Sequence, residues 1–109
     1  MTAASDALAV RLRPLLPKGL AEKAMFGGIG FMLDGNMLVA TTANGDLLVR
    51  IDPEKMEAAL ARPGTSRMQM GSRTMSGFVA VDPDALPDAA ALKDWIATAR
   101  AYVRSLPPK

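Results

Sequence analysis

The side chains able to carry chemistry are few in this chain, and the residues it lacks narrow the choice most. There is no histidine and no cysteine. That removes the ordinary general base near neutral pH, the thiolate nucleophile, zinc sites of the usual Cys/His kind and any disulfide. Among the carboxylates, Asp34, Asp46 and Asp52 fall near strand ends and could in principle pair for acid–base work. Each also has a structural duty, because Asp34 and Asp46 lie in turn signals and Asp52 precedes a proline at a helix start. Ser72, Thr74 and Ser76 have no histidine to activate them, and no Ser-x-x-Lys spacing occurs. The expectation is a protein that is not an enzyme and needs no cofactor or metal.

The remaining chemistry is cationic. Arg50, Arg62, Arg67 and Arg73 fall at strand ends and in turns, where guanidinium groups could meet nucleic-acid phosphates or the acids of a protein partner. Arg50, Arg67 and Arg73 are the candidate contacts. Against nucleic acid stand the nearby acids, the absence of aromatic residues among these arginines, and a net charge of only +2. Direct nucleic-acid binding is therefore the alternative reading, and solvated surface charge the first.

Half of the 109 residues are apolar and 22% are charged, the balance of one globular domain over residues 1–109. With aromatics at 5% and eight methionines, the core must rest on aliphatic side chains and adaptable packing. The amino terminus lacks the basic region of a signal peptide, and no uncharged run approaches the roughly 20 residues that cross a bilayer. A cytoplasmic protein without a membrane partner follows.

The elements that must position these groups centre on Met25-Phe26-Gly27-Gly28-Ile29-Gly30-Phe31. At period two, Phe26, Gly28, Gly30 and Met32 share one face and Met25, Gly27, Ile29, Phe31 and Leu33 the other. The glycine gap predicts a surface onto which a helix settles closely. A phosphate cradle is the competing reading, but no Gly-Lys-Ser/Thr follows, the spacing is not the dinucleotide fingerprint, and a hairpin turn comes next. Asp34-Gly35 and Asn44-Gly45 are both two-residue type I′ signals, so three strands, about 24–33, 36–43 and 46–51, form an antiparallel meander.

Before the meander, Leu8, Leu12, Leu15 and Leu16 recur at helical spacing behind a Ser5-Asp6 cap, with Pro14 kinking or ending that helix. After it, Asp52-Pro53-Glu54 opens a second helix carrying Met56, Ala59 and Leu60. Strands around 67–70 and 75–81 follow, separated by Gly71-Ser72-Arg73. A last helix opens at Leu86-Pro87-Asp88 and carries Leu92, Trp95, Ile96, Ala99, Tyr102, Val103 and Leu106 on one stripe. Trp95, in the middle of that stripe, reads as a core anchor. The fold class is α+β, a three-strand antiparallel meander plus two further strands with helices on one face, in the order α-β-β-β-α-β-β-α.

This order, with Met25-Phe26-Gly27-Gly28, Gly30-Phe31, the Asp34-Gly35 turn, Leu48-Val49-Arg50-Ile51, the run 71–79 and the Trp95 helix, resembles the amino-terminal domain of the TfoX/Sxy family over nearly the whole chain. The resemblance implies a secretion-chaperone-like layer, in domains that often pair as homodimers. The founding members are bacterial regulators of natural competence and carry a second, helical domain, for which there is no room before Lys109. A stand-alone member is thus expected, with no family catalytic residues to carry over. Met25, Phe26, Gly27, Gly28, Gly30 and Trp95 are its structural motif. Leu48, Met37, Val39 and the late-strand methionines exceed what one layer of helices covers, which predicts a homodimer that acts through a protein partner.

Overall fold

The computed structural model describes residues 2–25, 27–70 and 73–108, with residues 69, 70 and 73–76 described by their backbone alone. One antiparallel sheet is built from β1 (Ala21–Met25), β2 (Gly28–Leu33), β3 (Asn36–Thr41), β4 (Leu47–Arg50), β5 (Thr65–Met70) and β6 (Arg73–Val81). Its spatial order is β1-β2-β3-β4-β6-β5. The helices α1 (Ala3–Leu12), α2 (Met56–Leu60) and α3 (Ala89–Val103) supply the core of one face.

The fold class is as expected, with one strand more than the meander foresaw. Instead of one strand from Ala24 to Leu33, the chain turns back at Gly27, whose φ is +73°, so that Ala21–Met25 pairs with Gly28–Met32. The missed strand lies at the sheet's edge, is largely exposed and carries Glu22 and Lys23, so it lacks the alternating apolar signal of a half-buried strand. Phe26 lies outside the described residues. Because the chain turns here, Met25 falls on the same face as Gly30, and its thioether occupies the space a side chain at Gly30 would need. At Gly28 an added Cβ would collide with the carbonyl and hydroxyl of Thr41. The glycine gap thus admits a neighbouring strand and a methionine, not a helix.

The two turn signals act differently. Asp34 and Gly35 both have positive φ, 52° and 82°, as a type I′ turn requires. At the second signal, Gly45 has positive φ (84°) while Asn44 does not. Gly45 N–H donates to Thr42 O (2.9 Å), Thr42 N–H to Asp46 O (3.1 Å), and Asp46 N–H to Thr42 Oγ1 (3.1 Å). This is a three-residue hairpin loop with a left-handed glycine rather than a two-residue one.

A bulge also breaks the alternation of β3. Phe31 pairs with Val39 and Met32 with Met37, leaving Leu38 as the extra residue. Leu38 and Val39 consequently both reach the helix-side core, so Val39 is not on the second face where period two put it. A second irregularity separates the pairs Arg67–Val79 and Met68–Met75; within it Gly77, at φ +85°, accepts the Ile51 N–H at 2.8 Å.

Capping explains the helix limits. Thr2, not Ser5, caps α1 by accepting Ser5 N–H at 3.1 Å; Pro14 stands in the 3-10 turn that follows Leu12. Asp52 accepts Glu54 N–H (3.0 Å) and Asp88 accepts Ala91 N–H (3.0 Å), which fixes the starts of the second and third helical segments where the sequence signals lie. Leu92, Trp95, Ile96, Ala99 and Val103 of α3 pack with Leu8 and Leu12 of α1 over Phe31, Val39, Leu47, Val49, Val79 and Val81. Trp95 is 3% exposed, a core anchor as expected.

Candidate functional site

The face of the sheet turned away from the helices carries its own apolar cluster. Met37, Ala40 and Leu48 are buried there, and Met25, Met32, Met68, Phe78 and Ala80 pack around them, partly buried. These residues come from β1, β2, β3, β4, β5 and β6, so the cluster exists only once the sheet has formed. Of the sequence candidates for this face, Leu48, Met37 and Met68 are in place and Val39 is not, while the side chains of Met70 and Met75 lie outside the described residues. Four of the side chains are thioethers, which repack against a range of shapes at low cost. Such a surface suits binding, not bond-making.

Of the four arginines, Arg50, Arg62 and Arg67 do not form one surface. Arg50, at the end of β4, holds its guanidinium carbon 5.0 Å from the centre of the Phe78 ring and 5.8 Å from that of Tyr102. It bridges the two cores, since Phe78 packs with the helix-free cluster and Tyr102 with the helix-side one. Arg62 lies over the Trp95 ring, 3.4 Å from its centre, and pairs with Asp94; its other arm donates to Thr98 Oγ1 at 3.4 Å. Arg67 is exposed on the edge strand β5. Arg73 pairs through its backbone with Met70 at the start of β6, and its side chain lies outside the described residues. The sequence placed no aromatic residues among these arginines, yet the fold brings three rings to two of them. Those cation–π contacts hold the arginines to their own chain.

The carboxylates separate as well. Asp34 is exposed in its turn and Asp52 is engaged at its cap. Asp46 instead lines a concavity of about 530 Å³ with Asp82 and Asp84, and burial first, then the Asp82 charge, pushes its carboxyl above the usual range. Asp82 accepts Asp84 N–H at 2.9 Å, so this carboxylate has a capping duty too. Ser72 is outside the described residues, as are the side chains of Thr74 and Ser76. Among the described residues no group of three or more acidic side chains has the arrangement of a metal site.

Sequence reasoning missed one buried polar cluster. Ser5 and Thr41 are both 0% exposed, and their hydroxyls are 2.7 Å apart; Thr41 Oγ1 also accepts Ile29 N–H at 2.9 Å. This ties α1, β2 and β3 together and explains why only glycine fits at position 28. No local signal could have found it, because its members are 12 and 36 residues apart. Between α2 and α3 a cleft of about 400 Å³ is lined by Lys55, Ala58, Arg62, Thr98, Ala101 and Tyr102, among others. Elsewhere Glu22 and Arg13 form an exposed ion pair at 3.0 Å, and the hydrogen bond from Arg13 holds the Glu22 carboxyl below its usual range.

Among the described residues no helix is long and apolar enough to cross a membrane. No curated protein matches the chain. The family model for the TfoX N-terminal domain matches residues 11–102.

Proposed function

We infer a regulatory, non-catalytic role for this chain from its family, for it belongs to the TfoX N-terminal domain family. The function is that of a small interaction domain of the cytoplasm, which pairs with a second copy of itself and acts through a protein partner in transcriptional regulation. One observation carries this reading: the methionine-rich cluster across the helix-free face of the sheet, whose rim of Met25, Met32, Met68 and Phe78 stays partly open. A second copy laid against that rim would remove it from water, the term that drives most protein association. The arginine alternative draws less support, because Arg50 and Arg62 are spent on Phe78, Tyr102 and Trp95.

Light scattering coupled to gel filtration tests it. The chain should elute with about twice its 11.5 kDa mass at tens of micromolar. Met32→Glu together with Met68→Glu, both at the rim, should return it to one copy while the far-ultraviolet circular dichroism stays unchanged. A single 11.5 kDa species from the unaltered chain would remove the self-association half of the proposal.

A further inference from the structure

We propose that the solvent face of α3 is a contact for the phosphate backbone of nucleic acid, carried by Lys93, Arg100 and Arg104. Spaced seven and four residues apart, with Arg104 the helical capping residue just past Val103, these three fall within an arc of about 40° along roughly 16 Å of the helix axis. All three are exposed, and neither ion pair found among the described residues involves them. The one acid on this helix, Asp94, is held by Arg62. Arg13, on the neighbouring 3-10 turn, is neutralised by Glu22 at 3.0 Å. Among the described residues the stripe is therefore positive without interruption, although the chain as a whole is close to balanced at +2.

The cations also share one shallow groove, about 370 Å³ in volume, with Leu15, Ile96 and Ala97 among its lining. What lies between the charges selects the partner. An anionic membrane would call for bulky apolar side chains to insert, and here the exposed neighbours are Ala97 and Ala101. A protein interface would need a large anchor at its centre, but Ile96 is only 5% exposed and Leu15, half-buried, packs against the helix-side core. Phosphates need only point charges spaced along a line, with no apolar anchor and no base-reading side chains. Binding should therefore be independent of sequence.

This site does not depend on self-association, since α3 covers the opposite face of the sheet from the methionine cluster. Three phosphate contacts predict that the logarithm of the binding constant falls with the logarithm of salt at a slope near −2.7 for duplex DNA and near −2.1 for a single strand. The affinity for duplex should drop about 40-fold from roughly 50 to 200 mM salt. Fluorescence anisotropy of the full chain with labelled mixed-sequence duplex and single-stranded oligonucleotides reads this directly. The triple variant Lys93→Gln, Arg100→Gln, Arg104→Gln should keep its circular dichroism and lose both affinity and slope. Arg67→Gln should retain them. Absence of binding at the lower salt, undiminished binding by the triple variant, or equal capture by anionic vesicles or an acidic polypeptide through the same residues would overturn the assignment.

Discussion

Replacing Thr41 by valine keeps its shape and deletes one oxygen, and the structure makes that deletion expensive. The hydroxyl is fully buried, lies 2.7 Å from Ser5 Oγ and accepts the Ile29 N–H at 2.9 Å. Thr41→Val therefore strands two buried polar groups, each costing about 1–3 kcal/mol. Against this stands about 0.8 kcal/mol from the added apolar group. The net loss is about 1–5 kcal/mol, a large share of the roughly 5–15 kcal/mol by which domains are stable. Ser5→Ala alone should cost about 1–2 kcal/mol, since it orphans only one hydroxyl. In the double variant Ser5 no longer presents a polar group to strand. The Thr41 hydroxyl that Ser5→Ala orphans is gone as well, so the pair should cost about 2–5 kcal/mol less than the sum of the single changes. Urea unfolding followed by the fluorescence of the single, buried tryptophan measures all three. Additivity within about 0.3 kcal/mol, or a Thr41→Val loss under about 1 kcal/mol, would refute the account of this cluster.

Gly28→Ala should destabilise far more than Gly19→Ala, because its Cβ meets the Thr41 backbone whereas nothing lies within 4 Å of one at Gly19; the latter pays only for its positive φ, on the order of 1 kcal/mol, and thermal melts separate them. Arg62→Lys should lose about 1 kcal/mol and shift the tryptophan emission, since a point charge cannot reproduce a flat guanidinium stacked on Trp95; an unchanged spectrum would count against the stack. Asp46 is held above its unfolded value of 3.8 by burial and by Asp82, so the folded state favours its protonated form and stability falls as pH rises through the acid range. Asp46→Asn should thus match the parent near pH 3 and exceed it in stability by pH 7, and denaturant midpoints at the two pH values decide the sign.

Local chemistry made much of this fold legible. Asp34-Gly35 dictated a type I′ hairpin because both residues tolerate left-handed backbone. Asp52-Pro53 and Asp88 marked helix starts through their caps, and the Trp95 stripe marked the buried side of α3. The absence of histidine and cysteine narrowed the chemistry through composition alone. Turns, caps and stripes act over a few residues, where the chain's own geometry decides.

What depended on contacts far apart in sequence was not legible. Gly27 reverses the chain although period two reads straight through it, because the edge strand Ala21–Met25 owes its place to backbone pairing and not to an apolar pattern. The bulge at Leu38 turned Val39 into the helix-side core. Arg50 and Arg62, indistinguishable in sequence from free cations, became internal partners of Phe78, Tyr102 and Trp95. By itself the sequence determined an antiparallel α+β layer of this family, through turns, caps and amphipathic stripes. Tertiary structure alone decided which charges are bound inward, which lie exposed along α3, and where the methionines meet, since a side chain's neighbours are set by the strands and helices that arrive from elsewhere.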